Sequence, residues 1–312
     1  MPSSSSPAVT ASTESATPLK KPKEPPKRTA WRQFKRDRTA VLGAVILLLI
    51  IVSVILGPLL YPVSYSDIDF ARATASPSWQ HPLGTNDLGQ DQLARMLWGG
   101  RVSIAVGITA MLVSISLGTL VGTIAGFCGG IIDNALMRLT DLFLSLPQLP
   151  LLLLIIYLFR DAVRSIAGPE LGIFLLIILV IGGLTWMSTA RLVRAGFLAV
   201  KEREFVQAAR SLGAHPVRIV WRHILPNVIG PVIVAATLGV GNAIITESTL
   251  SFLGIGFPPD VPTWGRMLFD AQNYIASAPH LVIFPGLAIF LTVLSVNYVG
   301  DGLRDALDVR SR

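Results

Sequence analysis

Residues able to do covalent or metal chemistry are few in this 312-residue chain. The four histidines, His81, His215, His223 and His280, are scattered, and the one cysteine, Cys128, has no partner for an internal disulfide. A nucleophile needs an adjacent base, and a metal needs a converging donor set. Neither is visible, so no catalytic residue, metal ligand or cofactor is assigned to the chain. There is no Gly-x-x-x-x-Gly-Lys-Ser/Thr run and no Gly-Lys pair, hence no phosphate-binding loop. The chemistry left to consider is noncovalent. Glu247, Asn242 and Asn297 are polar side chains set in or beside long apolar runs. A second feature is a charged amphipathic stretch at 201–213.

The elements that hold these residues follow from charge distribution. Only 14% of residues are charged and 52% are hydrophobic, against about 25% charged in a soluble domain. Six runs lack Asp, Glu, Lys and Arg: 40–60, 102–132, 142–159, 171–190, 223–246 and 271–300. A helix rises ~1.5 Å per residue, so ~20 apolar residues cross a bilayer core. Lipid offers the backbone no hydrogen-bond partner, so the spans are helices. The fold expected is all-α and polytopic, with about six transmembrane helices. The 142–159 run is the shortest and holds Pro147 and Pro150, which predicts a kinked span, with a re-entrant segment as the alternative.

Alternating inside and outside segments place 20 of the 26 Lys and Arg on the side of the N-terminus. Both termini are therefore expected in the cytoplasm. The net charge of +7 reflects this bias. No basic groove with interleaved aromatics accompanies it, so no nucleic-acid partner is expected. Residues 1–30 are rich in Ser, Thr, Pro, Ala and Lys and predict a disordered cytoplasmic tail. Residues 31–60 supply a basic interfacial segment and the first span, 61–101 an extracytoplasmic loop, and 102–312 a core of five spans.

Ser114, Gly118, Gly122 and Gly126 form a smooth stripe that lets another helix approach closely, and Ala235, Gly239 and Ala243 repeat it. Ordinary helix packing within the chain is the plainer use of such stripes; a seam with a partner or a transport path is the other. Glu247 falls near the outer interface, either lining an outer mouth or paired with a neighbour. Asn242 and Asn297 either bond between helices or face a path.

The inner segment 188–227 is longer than a connection between spans requires. Phe205, Ala208, Ala209 and Leu212 share one face of a helix, Gly213 suits its stop, and Pro216 suits the first turn of a second helix. Such a helix either lies on the membrane or enters a groove on a partner.

Gln207-Ala208-Ala209, three residues, Gly213, nine residues, then His223-Ile224-Leu225-Pro226 resembles the EAA loop of binding-protein-dependent ABC importer permeases. Gln207 stands where that family has Glu, and His223 where Ile is usual. His81-Pro82-Leu83-Gly84-Thr85-Asn86-Asp87-Leu88-Gly89-Gln90-Asp91 is similar to the outer-loop signature of the dipeptide, oligopeptide and nickel group. There Asp is usual at position 86 and Arg at 90. The run Glu247–Gly256 with Pro262-Thr263-Trp264-Gly265 also resembles that group, and the whole looks like its C-type subunit.

The resemblance implies a permease without its own catalytic site in a bacterial inner membrane, inside a complex that hydrolyses ATP. Its partners would be a second permease, two nucleotide-binding ATPase subunits or domains carrying ATP and Mg, an extracytoplasmic solute-binding protein and the lipid bilayer. The coupling residues implied are Glu204, Phe205, Val206, Gln207, Ala208, Ala209, Leu212, Gly213, Leu225 and Pro226. A proton- or ion-coupled carrier is the main competing class, but it places ionisable relays at mid-membrane, and these spans are nearly empty of them.

Overall fold

A computed structural model describes residues 28–307. The tail expected over 1–30 lies outside the described residues as far as residue 27. The described chain is helical, and its sole β feature is an isolated bridge between Thr85 and Asp91. A short helix α1 (Arg28–Arg36) leads into α2 (Arg38–Leu60), whose first N–H groups are capped by Asp37. A loop follows, then α3 (Gln92–Cys128), capped by Asp91. Next come α4 (Gly130–Ser145), α5 (Gln148–Ala167), α6 (Pro169–Gly183) and α7 (Trp186–Lys201). The α7–α10 connection holds α8 (Glu204–Ser211), α9 (Pro216–Arg218) and a π turn (Ile219–Ile224). It feeds α10 (Leu225–Phe252), followed by α11 (Trp264–Ala271) and α12 (His280–Leu307).

Four helices are long and apolar enough to cross a membrane on their own: α2, α3, the run 216–252 ending in α10, and α12. Two bent pairs bring the number to six if each counts as one span: α4 with α5, broken by 88°, and α6 with α7, broken by 41°. The charge-free run 142–159 is thus not one helix. Pro147 forces its predecessor out of the helical region, and Leu146 sits at φ −79°, ψ 140°. The run 171–190 is likewise divided between α6 and α7.

α3 is the central post. The stripe on its second half faces α7, and both helices run in the same direction: Gly118 meets Thr189, Gly122 meets Val193 and Gly126 meets Phe197. A Cβ at Gly122 would lie 2.5 Å from the carbonyl oxygen of Ala190. The stripe is therefore packing within the chain, the plainer of its two readings. α10 runs antiparallel to α3, with Gly107 against Ile244 and Gly239 against Met111. α12 returns along α10, and α2 along α12, where Gly43 meets Ser295 and Tyr298. These pairings put the start of α2, the ends of α3, α7 and α12, and α8 at one end of the bundle. α11 and the 61–91 loop occupy the other.

Candidate functional site

The α7–α10 connection is built as a rigid projection. α8 is closed by a left-handed Gly213 at φ +77°. The Gly213 N–H donates to the Arg210 carbonyl at 3.0 Å and the Ala214 N–H to the Ala209 carbonyl at 3.1 Å, the paired bonds of a Schellman stop. Glu204 lies in the first turn, where the helix dipole favours an acid. The Gln207 amide donates to the Glu202 carbonyl at 3.1 Å, so the residue replacing the family Glu tightens its own loop.

The apolar residues of α8 divide between two sides. Val206 is 0% exposed and joins a buried cluster with Val193, Phe197, Ile219, Ile224 and Val228. It is a correction to the expected docking face: Val206 fastens α8 to the bundle and offers no partner any surface. Ala209 is half-buried, while Phe205, Ala208 and Leu212 face outward, Leu212 at 88% exposure. Leu225 is half-buried against the same cluster and Pro226 is exposed. Val217 and Trp221, also exposed, escaped the sequence reading. A tryptophan between Arg218 and Arg222 was the available signal.

Pro226 also accounts for the π turn before it. Its ring would collide with the carbonyl of Arg222, and it has no N–H to donate. Widening that turn relieves the collision. The Asn227 amide donates to the His223 carbonyl at 2.7 Å and partly replaces the lost bonding.

Halfway along α3 a cavity of ≈ 620 Å³ opens between α3, α5, α7 and α10. Its polar lining comes from Ser114, Gln148, Thr185, Ser188, Thr189, Asn242 and Thr246. Of the three residues expected near a path, only Asn242 lines it. Asn297 is half-buried on α12 near Gly241. Glu247 follows the paired reading and not the outer-mouth one: it is 0% exposed. Its carboxyl accepts from Ser251 Oγ at 2.8 Å and from Ser103 Oγ at 3.3 Å. Ser103 Oγ in turn accepts from the Trp264 N–H at 3.2 Å. Glu247 thereby ties α10 to α3 and to the start of α11 instead of lining a mouth.

The 81–91 segment is folded onto the start of α3. Asp91 accepts from the Ala94 N–H at 2.8 Å, from Tyr61 Oη at 2.9 Å and from His81 Nδ1 at 2.8 Å. Arg72 donates to His81 Nε2 at 3.0 Å, which leaves the imidazole proton on Nδ1, facing Asp91. Burial, then the neighbouring Asp91, pushes the Tyr61 hydroxyl up to about 12. Asn86 and Gln90 are each other's partners: Asn86 Nδ2 donates to Gln90 Oε1 at 2.8 Å, and the Gln90 N–H to Asn86 Oδ1 at 2.8 Å. A neutral amide pair therefore occupies the two places where the signature has Asp and Arg. Among the described residues no group of three His, Cys, Asp or Glu converges as a metal site would need.

Residues 118–312 match the family described as binding-protein-dependent transport system inner membrane component, and residues 26–77 match the N-terminal TM domain of oligopeptide transport permease C. The dipeptide transport system permease protein DppC of Alkalihalophilus pseudofirmus is 38% identical, over 92% of this chain and 91% of that protein. The chain belongs to this family of ABC importer permeases. The oligopeptide transport system permease protein OppC of Haemophilus influenzae is 37% identical to the permease, over 91% of this chain and 90% of its own. The glutathione transport system permease protein GsiD of Pectobacterium atrosepticum is 38% identical, over 91% of each chain. In fold the permease is similar to the inward-facing MetNI methionine ABC transporter. That likeness has a TM-score of 0.53 at 21% identity and covers 67% of this chain and 94% of the other.

Proposed function

We propose that the permease forms, with a second permease, the path of an ATP-driven importer for peptides in a bacterial inner membrane, with both termini in the cytoplasm. The observation that carries the coupling role is α8: a short helix fastened inward by Val206, stopped by Gly213, and presenting Phe205, Ala208 and Leu212 outward. An exposed apolar helix face held this rigidly suits a groove on a partner. Two cytoplasmic nucleotide-binding subunits or domains, carrying ATP and Mg, receive α8 and its counterpart. Their closure moves α8 and the end of α7 as a rigid body and tilts the spans between inward- and outward-open states.

The peptide assignment rests on the names of the dipeptide, oligopeptide and glutathione relatives. A solute-binding protein delivers the substrate at the α11 end, where the 61–91 loop and the 253–263 connection lie.

The test is purification from membranes in mild detergent, identification of the co-purifying chains, and an ATPase assay. Recovery of a second permease and phosphate-loop ATPases, with hydrolysis lost on replacing residues 202–213, is the expected result. A chain that purifies alone and transports without ATP would overturn the proposal.

A further inference from the structure

The wall of the cavity is mainly apolar, with uncharged polar groups set into it. Its volume of ≈ 620 Å³ falls within the ~300–1,000 Å³ of small-molecule sites. Among the residues that line it there is no Asp, Glu, Lys, Arg or His. Charges lie close by and are turned elsewhere. Glu247 follows the wall residue Thr246 in sequence, yet its carboxyl is enclosed by Ser103 and Ser251 and does not line the cavity. Arg191 and Arg194 flank the wall residue Leu192 of α7, and they pair with Asp141 and Asp133.

The polar groups of the wall differ in what they can still offer. Thr185 and Thr246 spend their hydroxyl protons on the carbonyls of Ile181 and Asn242, each at 2.8 Å, and can only accept further bonds. Ser114 is 0% exposed and its hydroxyl has no partner. With no exposed surface it is not available to a solute in the cavity. Asn242 and Gln148 are exposed on the wall, and their side-chain amides have no hydrogen-bond partner among the described residues. A carboxamide donates and accepts at once, which matches the N–H and C=O of a peptide unit.

We propose that Asn242 and Gln148 read the amide groups of a passing solute, and that this wall leaves the solute's net charge unread. The inference rests on the cavity being the transport path. It names the ligand as an amide-bearing solute whose charged ends or side chains are not held at mid-span. A fixed charge there would bind one class of peptide tightly and delay its release, whereas conduction requires weak holding. Selection by charge, where the importer shows any, belongs upstream of this wall.

The experiment uses the complete importer in proteoliposomes with saturating binding protein. Three tripeptides serve as probes, identical except for Lys, Ala or Glu at the central position, with uptake measured per ATP hydrolysed. For the wild type, the three rates are expected within about threefold of one another. Asn242→Asp, nearly isosteric, is expected to depress the Glu peptide against the Lys peptide by about tenfold. Gln148→Glu should act in the same direction, and both variants should elute as monodisperse complexes. Wild-type rates that differ more than tenfold at saturation would overturn the proposal. So would an unchanged ratio in both variants. A wild-type complex that takes up none of the three peptides on ATP would instead sink the importer reading on which it rests.

Discussion

Arg101 Nε donates to the carbonyl of Val54 at 2.6 Å, and Nη2 of the same guanidinium to the carbonyl of Ile55 at 2.6 Å. Four residues beyond Val54 is Pro58, inside α2 and without an N–H to give back. The arginine of α3 supplies the bond that the proline of α2 withholds, and Trp98 covers its outer side, 4.7 Å from ring centroid to guanidinium carbon. Arg101→Leu is expected to destabilise the permease by about 1.5–3 kcal/mol, the range for a lost charge-assisted bond. Pro58→Ala in the same background should recover part of the loss. Thermal unfolding of the four proteins of the cycle checks this, and equal losses with and without Pro58 would refute the pairing.

The α8 projection separates two kinds of apolar residue. Leu212→Asp changes an exposed side chain and should leave folding intact while transport falls by more than tenfold and ATP hydrolysis runs uncoupled. Gly213→Pro removes the N–H bonded to Arg210 and the left-handed φ, and should uncouple in the same way. Val206→Asp should instead lower the stability of the isolated chain, by about 3 kcal/mol or more, because it buries a charge. Normal transport in both Leu212→Asp and Gly213→Pro would remove the coupling role from α8.

Close approach of α3 and α7 depends on missing side chains. At Gly122 a Cβ would also stand 2.7 Å from Val193 Cβ, so there is backbone on one side and a branched side chain on the other. Gly122→Leu should push the helices apart and cost about 1–3 kcal/mol or more. The check is the yield of monodisperse protein in size-exclusion chromatography. A wild-type profile would contradict the packing described.

Glu247 should matter for its shape and hydrogen bonds. Glu247→Gln keeps an acceptor for one of the two serines and turns an NH2 donor to the other, whose hydroxyl oxygen can accept it, and is expected to retain stability and uptake near wild type. Glu247→Ala leaves both hydroxyls without that acceptor, which should cost about 1–3 kcal/mol for each group. Uptake abolished in Glu247→Gln at unchanged thermal stability would show that the carboxyl has a role beyond bonding.

Asp37 caps α2, and the Thr39 hydroxyl, then the N–H groups of Ala40 and Thr39, hold its carboxyl below the usual carboxylate range. A depressed folded value means the contribution is fully present above the unfolded pKa of ~3.9 and fades as pH falls through the folded value. The stability gap between wild type and Asp37→Ala should therefore be constant near neutrality and close in acid. A gap that persists through the acid range, measured by thermal unfolding against pH, would refute the titrating cap.

Much of this architecture is written in local patterns. Long charge-free runs gave the spans, and Gly213 marked its helix stop because a left-handed residue is a local demand. Side-chain direction in the connection was harder. In the eight-residue α8 the apolar residues fall on two sides, and only the packing of the π turn shows which side is inward. The pairing of Glu247 was open in the sequence because Ser103 and Trp264, which complete its network, are remote along the chain. Gln148, Thr185 and Ser188 carry no pattern at all. They become one wall only when the breaks at Pro147 and after Gly183 bring α5 and α7 beside α10. The Asn86–Gln90 pair shows the reverse case: two isolated departures from a signature prove to be one coupled exchange.

The π turn ahead of Pro226 sets the azimuth of everything above it. An α-helix advances ~100° per residue, and a π turn takes in one residue more than an α turn. Beyond Leu225 the helix is thus out of phase, by ~100°, with an unbroken one begun at Pro216. Asn242 owes its place on the cavity wall, and Glu247 its place among hydroxyls, to that offset. α10 is a cam whose setting is fixed at its base by one proline, so straightening 219–224 into a regular α turn with no residue removed would turn the wrong face of the helix to the cavity without altering any residue that lines it.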